Sequence, residues 1–148
     1  MYRKIENLKE VLENHLTYLE TGDLAKRADL SGADMSDVDL SGAILSGAIL
    51  MGTDLYSANL NGALLNNANL SGANLSFAKL TGGILTGAKL NGAKLSFANL
   101  FNANLSFANL RFAKMNDTYL RGANMNSAKL SFALLKGADL CFTKLNDT

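Results

Sequence analysis

The sequence predicts an all-β solenoid, a chain wound into stacked coils of four short sides, and three observations predict it. A large apolar residue falls on every multiple of five from Leu30 to Leu145, 24 positions in a row, of which 21 are Leu and the others Met35, Met115 and Met125. Two residues earlier, 19 of the 24 quintets have Ala, with Val38, Thr53, Gly83, Thr118 and Thr143 as small exceptions. Between one Leu and the next Ala lie two residues of turn composition, as in Ser31-Gly32. A step of five matches neither the 3.6-residue helix nor the two-residue strand, so the period belongs to a larger object.

The elements follow in order. Residues 1–25 do not keep the frame, and their apolar residues Ile5, Leu8, Val11, Leu12, Leu16 and Leu19 fall at helical spacing. That spacing predicts a helix from about Arg3 to Glu20, stopped by Gly22. A solenoid's first coil would otherwise expose its leucines and its backbone edge, so the helix reads as a cap over a coil starting near Ala28. Residues 1–25 thus form a capping helix and linker, and residues 26–148 the repeat. His15 has no partner at metal-ligand spacing and reads as a solvated or ordinary packing residue.

Within each quintet, residues two apart on an extended segment share a face, so Ala and Leu point inward and the residue between them points out. Four such sides close a square coil of 20 residues, and Leu60, Leu80, Leu100, Leu120 and Leu140 then form one interior column. Alanine is required because leucines from four sides leave no room for a second large side chain. The second corner position holds Gly in 11 quintets and Phe in six: Phe77, Phe97, Phe107, Phe112, Phe132 and Phe142. Glycine accepts a positive φ more readily than a bulky aromatic does, so the expectation is two corner types. Phe77 should stack on Phe97, and Phe112 on Phe132, along the edges.

The stretches ADLSGADMSDVDLSGAIL, residues 28–45, and ANLSGANLSFAKLTGG, residues 68–83, resemble the pentapeptide-repeat family. Its consensus is a small residue, Asp or Asn, Leu or Phe, a polar residue and a variable one, and the resemblance covers residues 26–148. It implies a right-handed quadrilateral parallel β-helix, here of about six coils. The family's quinolone-resistance members resemble B-form DNA and bind a type II topoisomerase such as DNA gyrase in its place. That activity is the alternative function the resemblance implies.

Composition bounds the function classes. With 48% apolar and 18% charged residues the chain reads as one ordered, elongated domain, and it has neither an apolar run long enough to span a membrane nor a signal-peptide pattern. The single Cys141 excludes an internal disulfide, and together these features predict a cytoplasmic protein. No nucleophile with a base, paired carboxylates or metal set is visible, so no catalytic residue, cofactor or metal is expected.

Information is left to the outer faces. One outward column reads Ile44, Leu64, Ile84, Asn104, Asn124, Lys144, with Ile49 on the neighbouring face and Met51 at a corner. This apolar group reads either as a partner surface or as the bed of the N-terminal helix. Residues 26–75 carry two basic and five acidic residues, a net of −3; residues 76–148 carry nine basic and three acidic, a net of +6. DNA mimicry needs a dense acidic surface, which this balance lacks. Direct nucleic-acid binding is disfavoured because the lysines are scattered over several faces with no aromatic interleaved. The repeat stays in frame to Leu145, so the rims of Leu130, Leu135, Leu140 and Leu145 are expected to support a weak homodimer through the last coil. The expected function is a non-enzymatic scaffold that binds or assembles protein.

Overall fold

A computed structural model describes residues 5–148 of the chain. From Asp29 onward the chain forms parallel bridges between residues 20 apart: Asp29 with Ile49, Asp34 with Asp54, Asp39 with Asn59, Ile44 with Leu64, and so on to Asn124 with Lys144. These make four ladders, one per side. Each side contributes one bridging residue, so among the described residues the sheets exist as isolated bridges and no extended strand forms.

The five-residue rule is a hydrogen-bond rule. Around one corner Asn59 N–H donates back to Val38 at 2.9 Å, and Leu60 N–H donates forward to Lys79 at 2.7 Å. The corner amide of Gly62 donates forward to Thr81 at 3.0 Å, and Ala63 N–H closes the turn on Leu60 at 3.0 Å. The fifth amide, that of Asn61, is taken by the Asn59 side chain at 3.3 Å. The same side-chain bond recurs from Asp29 to Ser31 and from Asn104 to Ser106. An outward Asp or Asn therefore builds the corner, since an unpaired amide is costly. Proline would delete one of five bonds per quintet, and the chain has none.

The interior is a solid column. Leucines from Leu45 to Leu110 and alanines from Ala48 to Ala123 have no exposed surface. Each buried leucine is worth about 1.5–3 kcal/mol of transfer free energy. Thr53 and Thr118 are buried at alanine positions because each hydroxyl finds a carbonyl, Leu30 at 2.7 Å and Leu95 at 2.8 Å.

The corners correct the expectation of two turn types. Phe77, Phe97, Phe107, Phe112, Phe132 and Phe142 all have φ between 59 and 62°, next to 61–72° for the corner glycines Gly32 to Gly137. In every coil but the last the corner amide reaches the next coil, as Phe77 does to Ser96 at 3.1 Å, and the last coil keeps the same turn, closed by bonds such as Ala133 N–H to Leu130 at 2.9 Å. The left-handed backbone costs a non-glycine residue about 1–2 kcal/mol. Ring stacking offsets part of this: Phe77 lies on Phe97 with centroids 5.0 Å apart, and Phe112 on Phe132 at 5.1 Å.

The N-terminal helix, α1, spans Leu8–Thr21. Its start is later than the spacing predicted, because Asn7 caps it by accepting the Glu10 amide at 3.3 Å; Arg3 lies outside the described residues. Gly22 ends it at φ 76°, donating to Tyr18 at 2.8 Å. A single 3₁₀ turn, Leu24–Lys26, leads into the first coil. Ile5, Leu8, Val11 and Leu12 pack on the coil's end beside Val38 and Ala43, so α1 lies across the opening.

Candidate functional site

His15, which the sequence suggested was solvated or ordinary packing, is fully buried where α1 meets the first coil. Its Nδ1 accepts the Ala28 amide at 3.1 Å, and since an amide can only donate, the ring proton sits on Nε2 and is given to the Ser46 carbonyl at 3.1 Å. One coil later the equivalent of the Ala28 amide bonds the turn carbonyl, as Ala48 does to Leu45, and the equivalent of the Ser46 carbonyl accepts a corner amide, as Asn66 does from Gly47. The imidazole therefore supplies one donor and one acceptor that a preceding coil would have supplied. Arg27 adds a third bond, Nε to the Gly47 carbonyl at 2.6 Å, and Tyr18 stacks on His15 at 5.3 Å. Burial lowers the His15 pKa below the usual histidine value; the bond to Ser46 opposes this and the Arg27 charge adds to it. This is a structural joint.

The apolar candidates separate into groups. Ile44, Leu64 and Ile84 are successive members of one ladder, while Ile49 begins its neighbour's apolar content between Asp29 and Asn69. Met51 stands at the next corner and is exposed. Ile44 is 41% exposed; Leu64, Ile84 and Ile49 are half-buried by stacking. Helix α1 meets only the start of this ladder, where Leu12 and Leu16 face Ala43 and Ile44 across a cleft of about 240 Å³ rimmed by Lys9 and Glu13. Leu16 extends the apolar surface; the sequence reading offered this group as a bed for the helix but did not single out Leu16. The joint signal of helix and repeat was the exposed apolar position of a helix facing an apolar outward column.

In the last coil Leu130 and Leu135 are half-buried, and Leu140 and Leu145 are 37% and 39% exposed. Cys141 is an exposed free thiol at the corner, its pKa raised by the Asp139 carboxylate beside it. Among the described residues no group of three His, Cys, Asp or Glu side chains could hold a metal ion, and no helix is long and apolar enough to cross a membrane.

None of the curated proteins matches the chain. Among solved structures it is similar to HetL, a pentapeptide repeat protein involved in heterocyst differentiation regulation from the cyanobacterium Nostoc sp. strain PCC 7120, at 30% identity over 80% of this chain and 73% of that one, with a TM-score of 0.49. It is also similar to a pentapeptide repeat protein of the Arabidopsis thaliana thylakoid lumen, at 34% identity over 74% and 69% of the two chains, with a TM-score of 0.46. A third similarity is to QnrB1, a plasmid-mediated fluoroquinolone resistance protein, at 25% identity over 71% and 58%, with a TM-score of 0.41. The family model described as pentapeptide repeats matches in 8 copies, over residues 26–47, 48–87, 68–106 and 103–140. Those matches span the same quintets whose Ala and Leu fill the column and in many of which an outward Asp or Asn closes the corner, and the chain belongs to the pentapeptide-repeat family.

Proposed function

We propose that this protein is a non-enzymatic scaffold that binds protein through its outer faces. The observation that carries the reading is the apolar ladder Ile44, Leu64 and Ile84, adjoining Leu12 and Leu16 of α1, on outer sides that elsewhere carry mostly Asp, Asn and Lys. Ile49 and Met51 extend it around one corner. The interior, filled by Ala and Leu, has no space for a substrate. A rigid prism presenting apolar side chains at fixed steps of roughly 4.8 Å suits a binding role. A second copy is a further partner, through the last coil with Leu130, Leu135, Leu140 and Leu145, as a weak homodimer. The lone Cys141 supports a cytoplasmic setting.

Topoisomerase binding by DNA mimicry is the other reading the family offers, and the charge pattern speaks against it, because the repeat carries 11 basic against 8 acidic residues. The test of the scaffold reading is an affinity capture comparing wild type with Ile44→Lys/Leu64→Lys, both outward positions where lysine occurs elsewhere in the ladders. A protein retained by wild type and lost from the double variant is the expected outcome. Identical retained sets would remove this face from consideration.

A further inference from the structure

We propose that the edge carrying Phe112 and Phe132 binds single-stranded nucleic acid, on a surface separate from the apolar ladder. In the linear sequence the basic residues look scattered, but the 20-residue coil gathers them. One ladder runs Asp29, Ile49, Asn69, Lys89, Asn109, Lys129, and the next runs Asp34, Asp54, Asn74, Lys94, Lys114, Leu134. The corner between these two sides reads Gly32, Gly52, Gly72, Gly92, Phe112, Phe132, with Arg111 beside Phe112. Lys89, Lys94, Arg111, Lys114 and Lys129 thus flank a single edge, and all five are exposed.

No acid lies on this edge or its two sides beyond Asp54. Of the acids of the C-terminal half, Asp117 and Asp139 stand on another corner and another ladder, while Asp147, at the corner next to Lys129, lines a cleft with Arg111 and Lys129 at the far end of this edge, away from Lys89 and Lys94. Among the described residues the five cations form no ion pair, the one recorded pair being Lys9 with Glu13 at 3.8 Å. Lys94 bridges directly to Lys114, and like charges placed opposite each other destabilise a sheet. An anionic ligand would relieve that repulsion.

The aromatic pair selects the kind of anion. Phe112 and Phe132 lie parallel, 5° apart in plane at 5.1 Å, and are 56% and 73% exposed. The Arg111 guanidinium stands 5.9 Å from the Phe112 centroid. On the preceding coil the same corner position is Gly92, where an added Cβ would meet nothing within 4 Å. A flat ring fits in that open space as the next member of the column, stacked on Phe112, between Lys89 and Lys94. A nucleobase is such a ring, and its flanking phosphates meet the lysines; aromatic stacking plus a basic track is how unpaired strands are held. An acidic peptide offers the charge without the ring. The other aromatic pair, Phe77 on Phe97, shares its corner column with Asp37 and Asp117 and serves as an internal control.

The test is fluorescence anisotropy with labelled 12-nucleotide oligouridine RNA and oligothymidine DNA, at 50 and 200 mM salt. Phe112→Gly and Gly92→Phe both keep residues that corners of this fold already use, and neither changes a charge. Phe112→Gly removes the platform and should weaken binding roughly five- to a hundredfold, the range for losing one base stack. Gly92→Phe fills the space and should weaken it comparably, while Phe97→Gly should leave it unchanged. Lys89→Gln and Lys94→Gln should each lower the salt slope by about 0.7. Tighter binding of one oligonucleotide would identify RNA or DNA as the strand preferred. The proposal is overturned by absence of binding to either strand at 50 mM salt and about 100 μM protein. It is equally overturned if Phe112→Gly binds like wild type, if Phe97→Gly loses as much, or if polyglutamate competes as well as the oligonucleotides.

Discussion

His15 shows how much one side chain can carry in a fold built from repeats. Its ring pairs an amide and a carbonyl that a coil would otherwise pair, and only the neutral form can accept from Ala28. Because the folded-state pKa is lowered, the unfolded chain binds the proton more readily. The stabilisation is therefore fully present above about pH 6.5, the ordinary histidine value, and declines as pH falls toward the folded pKa. His15 is the chain's one histidine, and Asp39 and Asp139 are held below the usual carboxylate range, hence below this window, by the amides of Ser41 and Cys141. We expect the thermal midpoint of the wild type to fall between pH 7 and pH 5, and that of His15→Phe to change little. The variant should also be less stable at pH 7, by about 1–3 kcal/mol for each buried backbone group left unpaired. A pH-independent wild-type midpoint measured by circular dichroism would refute the neutral-ring bonding.

At the level of elements, α1 and the first coil form one unit because a solenoid's coils touch only their neighbours. Leu8, Val11 and Leu12 shield the end beside Val38 and Ala43, and removing that contact should loosen what lies next to it and little beyond. Leu8→Asp places a charge against this apolar end and should cost roughly 2–3 kcal/mol locally, comparable to a buried leucine's transfer free energy. Hydrogen exchange resolved by mass spectrometry should show faster exchange in residues 28–47 and unchanged protection in residues 88–107. Uniform loss of protection along the chain would mean that the prism unfolds as one cooperative body. The corners belong to this scale too. Phenylalanine adopts the glycine conformation there because the turn bond closes each corner and, in every coil but the last, the corner amide bonds the following coil, so backbone pairing outweighs side-chain preference.

For the whole molecule, the two ends differ. Helix α1 covers the first coil, while the last leaves Leu140 and Leu145 more than a third exposed. Stacking two last coils about a two-fold axis would cover both copies at once. Lys129, Lys136 and Lys144 lie near that end and would repel their symmetry mates, so association should strengthen as salt screens them. Sedimentation over a range of concentration and salt should show a weak dimer for wild type and a monomer for Leu140→Lys. A wild type that remains monomeric at about 100 μM, corresponding to a free energy weaker than roughly −5.5 kcal/mol, would show that the exposed rims are tolerated.

By itself the sequence determined the coil, its core and its family, because one short period repeated from Leu30 to Leu145 turns the same Leu and Ala columns inward in every coil. It also determined which columns face outward, so the ladder of Ile44, Leu64 and Ile84 was legible as a list of residues 20 apart. Tertiary structure alone decided what those columns meet. Periodicity describes a repeat and is silent where the repeat stops, so the burial of His15 and the cleft that Leu12 and Leu16 share with Ile44 had no period to reveal them. The common corner conformation was likewise invisible in residue preferences, because the corner amide of every coil but the last bonds a coil some 20 residues away. The grouping of Lys89, Lys94, Arg111, Lys114 and Lys129 around Phe112 depends on the same distance: residues far apart along the chain become neighbours once four sides close a turn.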